Sequence, residues 1–374
     1  MKVLFTCGGT AGHINPALGV AGRIRELHPD VEILFVGAKG QMETELVPRE
    51  GYALETVTIT NLHRSLRPSD IRHNLATMKN VLTSQQEAKA ILRDFAPDVA
   101  VGTGGYVCYP VLKAAHSLGV PTALHESNAV PGLTTKMLSG VVDRIMVGFE
   151  ESRQYYKRPE RVTVTGTPVR RDFVRYDKRM AKAELGLDLD KPLVVSVWGS
   201  LGAAHMNEIM VRFIERAYQK PFFTLIHSAG ARYYAAMRKR LEEEGVGGCG
   251  EHGLDVRSYI YDMPKVMAAA DIVLCRSGAS TLSELAELGK PAVLVPSPNV
   301  TNNHQEKNAR VLEAAGAARV LLEQDFNADT LFGLVSELLQ SPEKLAAMSR
   351  AMCGMRVANA TERIADMVLE LAKA

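Results

Sequence analysis

Val3-Leu4-Phe5-Thr6-Cys7-Gly8-Gly9-Thr10-Ala11-Gly12-His13 decides the reading of this chain: a short apolar run breaks into glycines and then into a helix-length segment. The same order returns in the second half at Val194-Val195-Ser196-Val197-Trp198-Gly199-Ser200-Leu201-Gly202-Ala203. Further short apolar runs, at 31–36, 99–101, 122–124, 144–147, 224–227, 272–274 and 292–295, alternate with amphipathic stretches of helix length. Runs that are apolar at every position suit strands buried on both faces of a parallel sheet, and the helices between them supply the crossovers. The expectation is a doubly wound α/β chain with two Rossmann-like domains facing a deep cleft. Their bounds are placed at 1–165 and 166–357, with a helix over 358–374 able to pack back on the first. The Arg-, Lys-, Pro- and Asp-rich segment 159–192 is read as the linker, with Pro168 stiffening a hinge.

Length and composition agree. At about 150 residues per domain, 374 residues hold two α/β domains comfortably. Hydrophobic residues at 46% and charged residues at 23% exclude a disordered chain. A net charge of +2 leaves no global field to hold nucleic acid, so no nucleic-acid partner is expected. The five cysteines are scattered, odd in number and without a CxxC pair, which fits a reducing cytoplasm and argues against a zinc cluster. No uncharged apolar run reaches the roughly 18 to 20 residues of a membrane span. The longest uncharged stretches, 99–112 and 192–207, are broken by glycines, and the N-terminus enters a strand-like run with no signal-peptide pattern. A soluble, cytoplasmic protein is expected.

Three glycine loops follow strand-like runs: 8–12, 102–105 and 199–202. Glycine lets the backbone approach an anion, and the following helix N-terminus offers N–H groups and about half a positive charge. One such loop is no more than a tight turn; three, two of them opening the two halves, point to phosphate. The spacing GxGxxG is missing from the first and last loops, which argues against NAD, and no GxxxxGK[ST] occurs. His13 follows the first loop at the mouth of the predicted helix, where an imidazole can take a proton from an attacking hydroxyl. Around residue 280, Arg276-Ser277-Gly278-Ala279-Ser280-Thr281 leads to Glu284. With Ser280 or Thr281 as the cap, this is equally a capping pattern or a phosphate loop with Glu284 on a ribose diol. The polar stretch 297–305, rich in amides, suits the neutral hydroxyls of a sugar or the chemistry of turns.

Eight stretches, in order, resemble the motifs of the MurG family of peptidoglycan N-acetylglucosaminyltransferases: 8–21, 101–115, 125–138, 166–170, 198–208, 259–263, 275–296 and 302–318. The resemblance spans nearly the whole chain. Ala11 and Trp198 stand where the motifs usually carry glycine, Leu201 where Gln is common, and His304 where some members have Gln. The resemblance implies a GT-B fold, inversion at the sugar anomeric carbon, no obligatory metal and no cofactor. It implies UDP-GlcNAc as donor and a lipid-linked MurNAc-pentapeptide as acceptor. The place of work would be the cytoplasmic face of the plasma membrane, on an anionic surface and alongside other cell-wall synthesis proteins. The implied donor contacts are Thr10, Gly12, Asn128, Arg170, Ser200, Ile260 (backbone to uracil), Arg276, Ala279, Ser280, Thr281, Glu284 (ribose) and Gln305 (GlcNAc hydroxyls). The implied acceptor contacts are Gly9, Thr10, His13, Gly104, Gly105 and Tyr106, with His13 the base.

A lipid-anchored acceptor requires a membrane-facing surface. Residues 62–93 carry Arg64, Arg67, Arg72, Lys79, Lys89 and Arg93 against Asp70 and Glu87, with Ile71, Leu75, Met78 and Leu82 on one helical face. That stripe is equally a core face, so the basic residues and the loop 61–68 are the stronger membrane candidates. Two other readings remain: a GT-B-shaped UDP-GlcNAc 2-epimerase, and a non-catalytic nucleotide-sugar-binding subunit.

Overall fold

The computed structural model describes residues 1–59, 68–199, 202–246, 250–300 and 303–373. The chain divides into two compact units, Met1–Arg170 with Val357–Ala374, and Arg171–Arg356.

The first unit runs β1 (Lys2–Thr6), α1 (Ala11–Leu27), β2 (Glu32–Ala38), α2 (Glu43–Arg49), β3 (Ala53–Val57), α3 (Pro68–Phe95), β4 (Val99–Gly102), α4 (Cys108–Ser117), β5 (Thr122–Glu126), α5 (Leu133–Leu138), β6 (Arg144–Val147) and β7 (Val162–Val164). All its strands are parallel, in the order β3-β2-β1-β4-β5-β6-β7. Successive residues of β1 face opposite layers, as the pleat dictates. Val3 and Phe5 pack with Ile14, Val20 and Ile24 of α1, while Leu4 packs with Leu112 and Leu124 on the other side.

The second unit runs α6 (Lys178–Glu184), β8 (Leu193–Val197), α7 (Ala204–Gln219), β9 (Thr224–Ser228), α8 (Ala231–Glu243), β10 (Leu254–Arg257), α9 (Met263–Ala269), β11 (Ile272–Cys275), α10 (Ala279–Leu288), β12 (Ala292–Leu294), α11 (His304–Ala314), β13 (Ala318–Val320), α12 (Ala328–Leu339) and α13 (Pro342–Gly354). Its parallel sheet has the order β10-β9-β8-β11-β12-β13. Val194, Ile272 and Leu274 pack under Met210, Phe213 and Ile214 of α7.

The last helix, α14 (Ala360–Leu371), belongs to the first unit. Its apolar stripe, Ile364, Ala365, Val368 and Leu369, is buried with Val3, Phe5 and α1. The chain returns so closely over Gly166 (φ +77°) that a Cβ there would stand 2.6 Å from Val357 Cβ. Three large side chains of this helix, each stabilising by roughly 1.5–3 kcal/mol when buried, make it an integral layer.

The linker expectation needs correction. Residues 162–164 form the edge strand β7 of the first sheet, and α6 packs on α9 inside the second unit. Pro168 is buried, with its Cβ 3.7 Å from where a side chain on Gly19 of α1 would start, so it packs within the first unit and forms no exposed hinge. Arg64, Arg67 and most of the loop 61–68 lie outside the described residues, as do the side chains of Ile71, Arg72, Leu75, Met78, Lys79 and Leu82. The far end of α3 is core: Ala88 and Leu92 are buried against α4. Among the described residues no helix is long and apolar enough to cross a membrane.

Candidate active site

In the first sheet the winding reverses between β1 and β4, so the loops leaving their carboxyl ends diverge, the place where open α/β sheets receive ligands. Here the two loops are laced together. Gly8 N–H donates to Gly104 O (3.3 Å), and Thr103 donates its N–H to Thr6 O (3.1 Å) and its hydroxyl to His13 O (2.7 Å). The approach demands glycine: Gly105 has φ +92°, and a Cβ on it would stand 2.3 Å from Gly8 O.

His13, in the first turn of α1, places Nδ1 3.0 Å from Gly8 O, with Thr10 Oγ1 3.3 Å away. A carbonyl only accepts, so Nδ1 carries the proton and Nε2 keeps the lone pair. The half-buried imidazole is therefore held in the tautomer a base requires. Its ring lies against Gly104, whose φ is +118°. Thr10 is the helix N-cap by position, yet its side chain makes no capping bond to the helix.

Gly9 departs from expectation. Its N–H donates to Glu43 Oε2 (3.1 Å) and the Gly8 N–H is taken by Gly104, so neither amide is offered to an acceptor pyrophosphate. What Gly9 supplies is a left-handed bend, φ +84°. Glu43, which sequence reasoning missed, is fully buried and also accepts from Ala38 N–H (2.8 Å). Burial first, then the Glu43 charge, raises the Tyr106 phenol; burial likewise pushes the Cys108 thiol to about 12. Asn128 is placed by a second buried carboxylate, Glu126, which accepts from Asn128 N–H (3.0 Å) and Nδ2 (2.9 Å) and from Gly132 N–H (3.0 Å) and Thr135 Oγ1 (2.7 Å).

In the second sheet the reversal falls between β8 and β11. After β8 the chain bends through Gly199 (φ +98°) and Gly202 (φ +71°), where a Cβ on Gly202 would stand 2.3 Å from Ala229 O. Ser200 and Leu201 lie outside the described residues. After β11, Gly278 caps α10, which corrects the expectation that Ser280 or Thr281 is the cap: both lie inside the first turn. That turn has no side-chain cap bond and no acidic residue of its own, the condition under which a helix N-terminus can receive an anion. Glu284 follows one turn later, and its charge adds to burial in raising the Cys275 thiol to about 12.

Arg276 is engaged inside the second unit. One of its terminal nitrogens donates to Glu323 Oε2 (2.6 Å), Val295 O (3.1 Å) and Pro296 O (3.2 Å), tying the ends of β11 and β12 together. Gln305 is oriented: Ser297 N–H donates to its Oε1 (2.8 Å), leaving the side-chain NH₂ as donor. Ile260 is buried as a whole residue, 2% exposed, while its neighbours Tyr259 and Tyr261 are exposed, ring centroids 4.8 Å apart. Of the residues expected to contact the donor, Thr10, Gly12, Asn128 and Arg170 belong to the first unit, and Ile260, Arg276, Ala279, Ser280, Thr281, Glu284 and Gln305 to the second. Among the described residues no group of three or more His, Cys, Asp or Glu is arranged to hold a metal.

Residues 3–147 match the glycosyltransferase family 28 N-terminal domain and residues 193–364 the family's C-terminal domain. A protein of Acetivibrio thermocellus named "UDP-N-acetylglucosamine–N-acetylmuramyl-(pentapeptide) pyrophosphoryl-undecaprenol N-acetylglucosamine transferase" is 40% identical over 373 residues, covering 100% of this chain and 99% of the relative. The chain belongs to glycosyltransferase family 28. A Thermoanaerobacter relative of the same name is 42% identical over 98% of this chain and 99% of its own. The crystal structure of Acinetobacter baumannii MurG superposes with a TM-score of 0.75 at 25% identity, covering 99% of both chains. The two Rossmann-like parallel sheets are those of a GT-B family 28 transferase.

Proposed function

We propose that this chain transfers N-acetylglucosamine, with inversion, from UDP-GlcNAc to the 4-hydroxyl of undecaprenyl-pyrophosphoryl-MurNAc-pentapeptide, converting lipid I to lipid II in peptidoglycan synthesis. End-to-end similarity to transferases of that name carries the reading. The tautomer of His13 supports its role within it.

The muramyl O4 attacks the GlcNAc anomeric carbon from the face opposite UDP. Its proton passes to His13 Nε2, the O4–C1 bond forms, and the C1–O bond breaks with its electron pair leaving on UDP. General-base help of this kind contributes roughly 10²–10⁴-fold. The N-terminal amides of α10, Ala279 to Thr281, meet the charge gathering on the diphosphate as it leaves, as a preformed electrostatic site does. Glu284 accepts from the ribose diol, and Gln305 donates to sugar hydroxyls. The same helix end does the work a metal would otherwise do, so turnover in EDTA equal to that without it is expected.

The acceptor's lipid anchor places the chain at the cytoplasmic face of an anionic membrane. The surface of residues 62–93 is the proposed contact, at about 1 kcal/mol for each basic residue near the lipid. Replacing Arg64, Arg67 and Arg72 by Glu should lower co-sedimentation with anionic liposomes; unchanged binding would move the contact elsewhere.

Incubation with radiolabelled UDP-GlcNAc and a short-chain lipid acceptor analogue tests the activity. Label on the acceptor supports transfer, whereas an altered C2 configuration without acceptor would identify an epimerase.

A further inference from the structure

A single peptide group joins the buried Glu43 carboxylate to the His13 imidazole. The Gly8–Gly9 peptide donates its N–H to Glu43 Oε2 (3.1 Å) and accepts with its C=O from His13 Nδ1 (3.0 Å). Among the described residues every peptide is trans, which sets those two groups on opposite edges of one planar unit. Carboxylate, amide and imidazole therefore run in series.

We propose that Glu43 is a positioning residue for His13, acting through the Gly8–Gly9 peptide to fix the Nδ1–H tautomer and to stabilise the imidazolium that forms once Nε2 has taken the acceptor proton. This rests on His13 being the base, as proposed above. The proton on Nδ1 stays there throughout; the peptide relays polarisation, not a proton.

Two observations and one physical rule carry the inference. Glu43 is wholly buried and among the described residues has no cation beside it; its partners are the N–H groups of Gly9 and Ala38. Burying a carboxylate on those terms is costly unless it is fully hydrogen-bonded, so its presence asks for a reason beyond packing. Two glycines make its slot: a Cβ on Gly8 would stand 2.3 Å from Oε1, and one on Gly37 2.4 Å from Cγ. Finally, an anion accepting from an amide N–H shifts density onto that amide's oxygen, and hydrogen bonds in series strengthen one another. The Gly8 oxygen becomes a better acceptor for Nδ1–H, most of all when the ring is charged. A carboxylate directly on a catalytic imidazole fixes tautomer and charge in the same way; here a peptide stands between.

The test uses the full chain with ¹⁵N-labelled histidine and glycine, the His13 signals being those lost in His13→Gln. Wild-type protein should show His13 as the Nδ1–H tautomer and the Gly9 amide proton shifted downfield and slow to exchange. Glu43→Gln removes the charge at constant shape. It should populate the Nε2–H tautomer and lower kcat about 10- to 100-fold, the usual effect of losing an outer partner, with KM for UDP-GlcNAc within about 2-fold. An Nε2–H tautomer in the wild type, an ordinary fast-exchanging Gly9 amide, or a folded Glu43→Gln with wild-type tautomer and kcat would overturn the proposal. Should that variant not fold, the wild-type spectra decide. Full turnover by His13→Gln would overturn the base assignment alone, since the spectra read the relay independently of catalysis.

Discussion

Gly104→Ala would disable the proposed base without touching it. Gly104 has φ +118°, beyond the left-handed helical well, and an L-residue held in so sparsely populated a region costs on the order of 1–3 kcal/mol. The new Cβ would stand 2.5 Å from His13 Cδ2 and 3.0 Å from Nε2. Ordinary contact begins near 3.4 Å, so the ring must retreat by about 1 Å or turn. A misplacement of about 1 Å at a reacting group costs on the order of 10²-fold. The variant should therefore fold, melt a few degrees lower and lose about 100-fold in kcat for transfer to the short-chain acceptor. Its KM for UDP-GlcNAc should stay within about 2-fold, because the atoms that the new Cβ meets are those of the His13 ring and of none of the expected donor contacts. A folded Gly104→Ala enzyme with wild-type kcat would show that the position of the imidazole does not matter, and the role given to His13 would fall with it.

Three further outcomes are expected. Glu284→Ala should raise the donor KM about 10- to 100-fold, the loss of a charged hydrogen bond of about 1.5–3 kcal/mol; an unchanged KM would remove Glu284 from the ribose site. Ending the chain after Arg356 removes the buried Ile364, Val368 and Leu369, a loss of about 5–9 kcal/mol that rivals a typical domain's whole stability, so the first unit should no longer give a cooperative melt. His227 is fully buried with Nδ1 3.0 Å from Ser196 Oγ, and burial holds its pKa at about 3 against the usual 6.5. The unfolded chain thus takes up a proton the fold refuses, so stability falls as pH drops from 6.5 toward 3. Between pH 6.5 and 4.5 the wild type should lose about 2–3 kcal/mol more than His227→Gln in urea titrations, and equal losses would contradict it.

Much of this was legible in the residues, and the gaps have physical causes. The strands found as continuous apolar runs are the interior ones. The four without such a run, β3, β7, β10 and β13, are the four sheet edges, where one face meets solvent and the pattern of burial is mixed or alternating. Segment 159–192 read as a linker because its composition is polar; it holds one of those edges. The glycine loops and His13 announced themselves by position after strands. Glu43 did not, because nothing in its spacing says that the chain will close over it with glycines at 8 and 37 on either side. Arg276 is a parallel case: it sits in a phosphate-like loop, and nothing in its spacing says that Glu323, 47 positions away, accepts from one of its terminal nitrogens.

The account stands on a division of labour, with the nucleotide held by the second unit and the proton removed by the first. A crystal grown with UDP tests it most directly. The account predicts the diphosphate on the amides of Ala279 to Thr281 with the ribose at Glu284. A diphosphate seated over residues 8–13 would contradict it.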